Sequence, residues 1–198
     1  ACAPYRRLHL CHHNLEKITD TNTTTTHNLL AEVCLAAKYE AESLEKYRDQ
    51  YEAQYPGSGS TMCTMLARSF ADIGDIVRGR DIFRGNDEEK KQRKKLDDKL
   101  KEIFKEIHEG LTNGELKTRY GSDENFFQLR EDWWTANRHT VWKAMTCSDE
   151  LKDNRYFRHT CNGGSPTKGK CRCDGANIVP TYFDYVPQYL RWFEEWAE

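Results

Sequence analysis

An all-α, disulfide-stapled fold is predicted by three features of the 198-residue sequence. Apolar residues recur at three- and four-residue steps through several long stretches, no alternating strand pattern of comparable length appears, and eight cysteines fall in two clusters. The clusters are Cys2, Cys11, Cys34 and Cys63, then Cys147, Cys161, Cys171 and Cys173. The architecture expected is a loop-rich N-terminal subdomain over residues 1–59 packed on a four-helix bundle over 60–198.

The first 27 residues hold two cysteines, Pro4 and the polar tract Thr19 to Thr26, which has nothing to bury and reads as loop closed by sulfur. Asn22-Thr23-Thr24 fits the N-glycosylation pattern. From Asn28 to about Tyr55 the residues Leu30, Val33, Cys34, Ala37, Glu40 and Leu44 keep helical intervals, and Pro56 to Ser60 (PGSGS) ends that helix and marks the domain boundary. Ser60 or Thr61 then caps a helix with Met62, Leu66, Phe70, Ile73 and Val77 on one apolar face, stopped by Gly79.

Asp87 to Leu111 carries a stripe of Leu96, Leu100, Ile103, Phe104, Ile107 and Leu111, with Gly110 and Asn113-Gly114 as exit signals. Asp123 to Met145 places Phe127, Trp134, Val141 and Met145 on one helix face, with Trp133 and Trp142 beside it. A cysteine-rich loop follows, and the last helix, beginning near Val186 because Pro187 belongs in its first turn, sets out Phe183, Val186, Leu190, Phe193 and Ala197. Helical spacing assigns all five tryptophans, Trp133, Trp134, Trp142, Trp192 and Trp196, to the core.

With 37% hydrophobic and 12% aromatic residues the chain has enough apolar material for a packed globule. Charged residues make up 31% yet nearly cancel, at net −2, so no global field steers the chain onto nucleic acid or an anionic membrane. No run reaches the roughly 20 apolar residues of a membrane span, and Ala1 to Arg6 lacks the plan of a signal peptide, so a soluble piece of something longer is expected.

Even cysteine number and spacing point to an oxidising compartment, with connectivity open and Cys171 and Cys173 too close to pair with each other. A zinc site would draw on Cys147, Cys161, Cys171, Cys173 and His159, but Cys-x-Cys without a Cys-x2-Cys knuckle matches ligand spacing poorly. No metal or cofactor is therefore expected. Nor is catalysis, since Gly-x-Ser-x-Gly, His-Glu-x-x-His, phosphate-loop and Gly-x-Gly-x-x-Gly motifs are all absent.

Five segments, in order, resemble the Duffy-binding-like adhesion domains of the malaria parasite, alpha class, at the head of the variant erythrocyte membrane protein family. They are Cys2 to Cys11 (CAPYRRLHLC), Ala67 to Gly79 (ARSFADIGDIVRG), Leu129 to Arg138 (LREDWWTANR), Cys171-Arg172-Cys173 and Pro180 to Trp196 (PTYFDYVPQYLRWFEEW). The resemblance implies subdomains 1 and 2 of that fold, truncated before subdomain 3. It further implies an ectodomain on the infected red-cell surface that binds host receptors or glycans in rosetting and cytoadhesion and undergoes antigenic variation. Its partners would be a host receptor, a sulfated glycan, antibody and neighbouring domains of the same polypeptide. The alternative is a structural head that positions an adjacent receptor-binding domain and draws antibody without a ligand of its own.

A sulfated glycan needs several cations on one face, because its binding is driven by counterion release. One candidate is Lys90, Lys91, Arg93, Lys94 and Lys95, which could equally be a solvated helix face paired with Asp97, Asp98 and Glu102. A second is Lys168, Lys170 and Arg172 between Cys161 and Cys173, with Arg155 and Arg158 nearby, where a fixed loop would lose less entropy on binding. A third is Arg6, Arg7, His9, His12 and His13, against which stands simple packing of arginine stems.

Overall fold

The computed structural model describes residues 2–19, 25–54, 61–175 and 177–197, and the side chains among these except those of 51–54. The glycosylation pattern at Asn22 and the boundary segment Pro56 to Ser60 lie outside the described residues. Eight α-helices follow in order: α1 Tyr5–Leu8, α2 His13–Glu16, α3 Thr26–Gln54, α4 Met62–Arg78, α5 Asp87–Glu109, α6 Gly114–Tyr120, α7 Phe127–Met145 and α8 Gln188–Ala197. Among the described residues there is no strand, only the isolated bridges Cys161 with Ser165 and Gly169 with Arg172. The all-α class expected from the apolar spacing is the class observed.

Helix α4 is the axis of the molecule, and all of its residues are buried rather than one apolar face. Its apolar stripe, Met62, Leu66, Phe70, Ile73 and Val77, meets Leu29, Val33, Ala37 and Leu44 of α3 and Trp134, Val141, Trp142 and Met145 of α7 in a single core. Gly74 lets α7 come this close: a Cβ there would lie 2.7 Å from the Trp134 ring. The helix stops at Gly79, whose φ of 72° closes the last turn while its N–H reaches the carbonyls of Asp75 and Ile76. Thr61 stands at the start, but its hydroxyl bonds Thr64 Oγ1 at 2.6 Å instead of capping the backbone.

Helix α5 opens on a capping box, with Asn86 Oδ1 accepting from Glu89 N and Glu89 accepting from Asn86 N. Leu96, Leu100, Ile103 and Phe104 of its stripe are buried, and Ile107 and Leu111 are partly so. Asn113 both ends that segment and caps α6, an element the exit signals had concealed. Helix α7 starts at Phe127 and not Asp123, because the Asp123 carboxylate accepts from the backbone N–H of Asn125 and Phe127 and turns the chain first.

Two disulfides form, Cys63–Cys171 and Cys161–Cys173, while Cys2, Cys11, Cys34 and Cys147 are free thiols. The expectation of eight oxidised cysteines in two separately stapled regions is corrected accordingly: one bridge ties α4 to the late loop, and none lies within residues 2–54. That first region is held by burial of Leu10 and Leu15, by Glu40 accepting from Cys11 N, and by ion pairs from Arg6 and Arg7. Cys171 and Cys173 are not paired with each other, as their separation required.

Most of the predicted stripe of the last helix turns outward, Phe183 alone of it being buried. Val186, Leu190, Phe193 and Trp196 are exposed, Phe193 to 73% and Trp196 to 62%, and Phe127 of α7 is exposed as well. The buried face of α8 is Gln188, Arg191 and Trp192, because the α4 surface it meets is acidic. Four of the five tryptophans are core residues, and Trp196 is the exception, its indole donating to Cys2 O at 3.0 Å.

Candidate functional site

The segment Phe70 to Arg80 builds an ionic hub. Charge inside a protein costs several kcal/mol per ion unless paired and hydrogen-bonded, and here the pairs converge from four helices. Asp72 receives Arg6 of α1 and Arg191 of α8, each at 2.7 Å, with Gln188 donating at 2.9 Å and Trp192 at 3.3 Å. Asp75 takes Arg191 at 2.5 Å and Arg78 at 2.8 Å. Arg78 also donates to Asp184 O at 2.6 Å, and the Asp184 carboxylate accepts from Trp134 Nε1 at 2.9 Å and pairs with Arg138 at 2.7 Å. Arg130 of α7 donates to Val77 O and reaches Asp97 of α5 at 2.9 Å.

Burial raises the Asp72 carboxyl, but Arg6, Arg191 and Arg7 outweigh it and hold the pKa at about 2. For Asp75 burial wins over Arg191 and Arg78, and the pKa rises to about 6. Glu40, buried beside Ser69 and Cys11, is also raised by burial. These groups sit in the interior. The hub orients helices.

Two members of the third basic patch are drawn into the scaffold. Arg6 is buried between Asp72 and Glu195, and Arg7 pairs with Asp81 at 2.5 Å, so both are structural. His12 bonds Leu10 O, and burial together with Arg7 lowers its pKa.

The Cys161–Cys173 loop is largely neutralised. Arg172 is spent on the end of α7, donating to Thr146 Oγ1, Thr146 O and Lys143 O within 2.8 Å. Lys168 pairs with Asp174, and Lys170 with Asp149 at 2.5 Å. Arg155 and Arg158 are exposed, Arg158 standing over the Phe157 ring.

The α5 cluster divides. Lys90 and Lys91 pair with Asp87 and Glu88 on the solvated face, and Lys95 is exposed. Lys90, Arg93 and Lys94 nevertheless line a cleft of about 260 Å³ between α5, the α4 terminus and the N-terminal segment. Arg84 completes it, so that four cations besides the structural Arg7 stand against Asp81 and Asp97, over an apolar floor of Ile76, Leu96 and Leu100. Arg93 is anchored on Asp81 at 2.7 Å, and both it and Arg7 lie over the Phe83 ring. Arg84 was absent from every basic cluster read in the sequence, since it stands alone in the turn before Asn86 and only the fold brings it to α5.

The chain is a disulfide-stitched helical scaffold organised on an ionic hub, with a basic cleft on its surface. The model of the Duffy binding domain matches residues 1–191, and the chain belongs to that family. Its domains are receptor-binding modules and not enzymes. The NTS-DBL1(alpha-1) domain of Plasmodium falciparum membrane protein 1 from the varO strain is 44% identical with a TM-score of 0.81, covering 100% of this chain and 43% of that one. The DBLbeta domain of IT4var13 bound to ICAM-1 is 35% identical at a TM-score of 0.73, covering 100% of this chain and 44% of that one. The Duffy receptor of Plasmodium vivax (strain Salvador I) is 24% identical over 205 residues, 99% of this chain and 15% of that protein. The chain thus spans about 15% of the curated relatives it matches and under half of these solved domains.

Proposed function

We propose that the chain is part of an adhesion module at the surface of the infected red cell, and that the α5 cleft is its contact for an anionic host ligand such as a sulfated glycan. The observation that carries this is the convergence of Arg84, Lys90, Arg93 and Lys94 on one concave surface with a surplus of positive charge. Sulfate groups suit it, because guanidinium and ammonium groups replace counterions there and the apolar floor excludes water. Solved relatives of this family include one bound to ICAM-1, which supports receptor contact as the role of the scaffold.

A second reading, in which the chain positions a neighbouring domain, is favoured by the outward face of α8, where Tyr189, Leu190, Phe193 and Trp196 form an apolar surface. The two readings separate in one experiment. Reversal of Arg84, Lys90 and Lys94 to glutamate is expected to release the chain from immobilised heparin at lower salt, whereas reversal of Lys168 and Lys170 leaves retention close to wild type. Unchanged retention in the first variant removes the cleft, and no retention in wild type leaves the positioning role.

A further inference from the structure

We propose that Asn162 is a self-modifying site, at which the side-chain amide is converted to aspartate and isoaspartate by attack of the neighbouring backbone nitrogen. The chain has two Asn-Gly pairs, Asn113-Gly114 and Asn162-Gly163, and Asn-Gly is the sequence at which this attack is least hindered because glycine has no side chain. The fold treats the two pairs differently.

Asn113 is locked. Its Oδ1 accepts from Glu115 N at 2.9 Å and Leu116 N at 3.3 Å as the cap of α6, and Gly114 is fixed in the first turn. Asn162 is exposed, with φ 45°, in the loop closed by Cys161–Cys173. Its amide makes one long bond, donating to Asp174 O at 3.2 Å. Among the described residues the Gly163 N–H holds no hydrogen bond, and a Cβ built on Gly163 or Gly164 would meet nothing within 4 Å. The nucleophile is free, and the loop has room to bring it onto Cγ.

In the step, the bond from Gly163 N to Asn162 Cγ forms as the bond from Cγ to Nδ2 breaks. The amide proton passes to solvent base and the side-chain nitrogen leaves as ammonia. Water then opens the five-membered imide at either carbonyl, giving aspartate or isoaspartate. Each product adds a negative charge beside Asp174, the partner of Lys168, and isoaspartate also lengthens the main chain within the disulfide ring. Asp174-Gly175 lies across the same loop, its carboxylate paired with Lys168.

The test is incubation of the intact, oxidised chain at mildly alkaline pH in oxygen-labelled water, followed by peptide mapping and isoaspartate detection. Label is expected at residue 162 at least roughly tenfold faster than at residue 113, where two hydrogen bonds must first be given up. The map of Asn162→Gln, whose longer side chain forms the ring far more slowly, should lose that label and keep the rest. Conversion at 113 as fast as at 162, or an intact Asn162 over the time in which a free peptide of residues 158–166 converts, overturns the proposal.

Discussion

Asp72 and Asp75 lie one turn apart on α4, share Arg191, and titrate in opposite directions. Asp72, held at about 2 against an ordinary 3.8, contributes stability that is present above pH 3.8 and lost as pH falls through 2. Asp75, raised to about 6, contributes stability that is present below pH 3.8 and lost as pH rises through 6. Asp72→Asn is therefore expected to cost about 2 kcal/mol at pH 7, since each pKa unit is worth about 1.4 kcal/mol. Asp75→Asn should cost less and should abolish the loss of stability between pH 5 and pH 7; urea unfolding of both variants at the two pH values measures this. A larger loss from Asp75→Asn at pH 7 would invert the assignment. The residue types of this hub are plain in the sequence, but their partners are not, because Arg6 and Arg191 reach Asp72 from opposite ends of the chain.

At the scale of elements, Gly74 and the long disulfide carry the strongest expectations. Gly74→Ala pushes a methyl group into the Trp134 ring and should destabilise by about 1–3 kcal/mol in thermal or urea unfolding, the range for overpacked cores. Replacing Cys63 and Cys171 by serine opens a loop of separation 108 and should cost about 4–5 kcal/mol, against about 3 kcal/mol for Cys161 and Cys173 at separation 12. The three- and four-residue apolar steps located α3, α4, α5 and α7 to within a few residues, because each presents a continuous stripe to one core. They misled at α8, where the stripe faces solvent and the packing face is Gln188, Arg191 and Trp192. Periodicity reports that two faces differ without saying which one is inside, and an acidic partner helix reverses the usual answer. Short α6 escaped because its cap, Asn113, doubles as the exit from the preceding segment.

For the whole molecule, near-zero net charge hides a segregated surface. No described helix is long and apolar enough to cross a membrane, and charge is balanced locally at the Cys161–Cys173 loop but left in surplus at the α5 cleft. Of the sequence-derived basic clusters, Lys90, Arg93 and Lys94 are gathered at that cleft, while Arg6, Arg7 and Arg172 are absorbed into the scaffold. Sequence proximity found the lysines on one helix but could not weigh Arg84 against Asp81 and Asp97, which depends on how α5 lies across the end of α4. An electrostatic contact seated in this cleft is checked by titrating the chain with a defined sulfated oligosaccharide over a series of salt concentrations. Log K is expected to fall linearly with log salt, and Arg84→Glu with Lys94→Glu to flatten the slope by about the two lost contacts; a salt-independent affinity, or a slope untouched by those reversals, would rule that contact out.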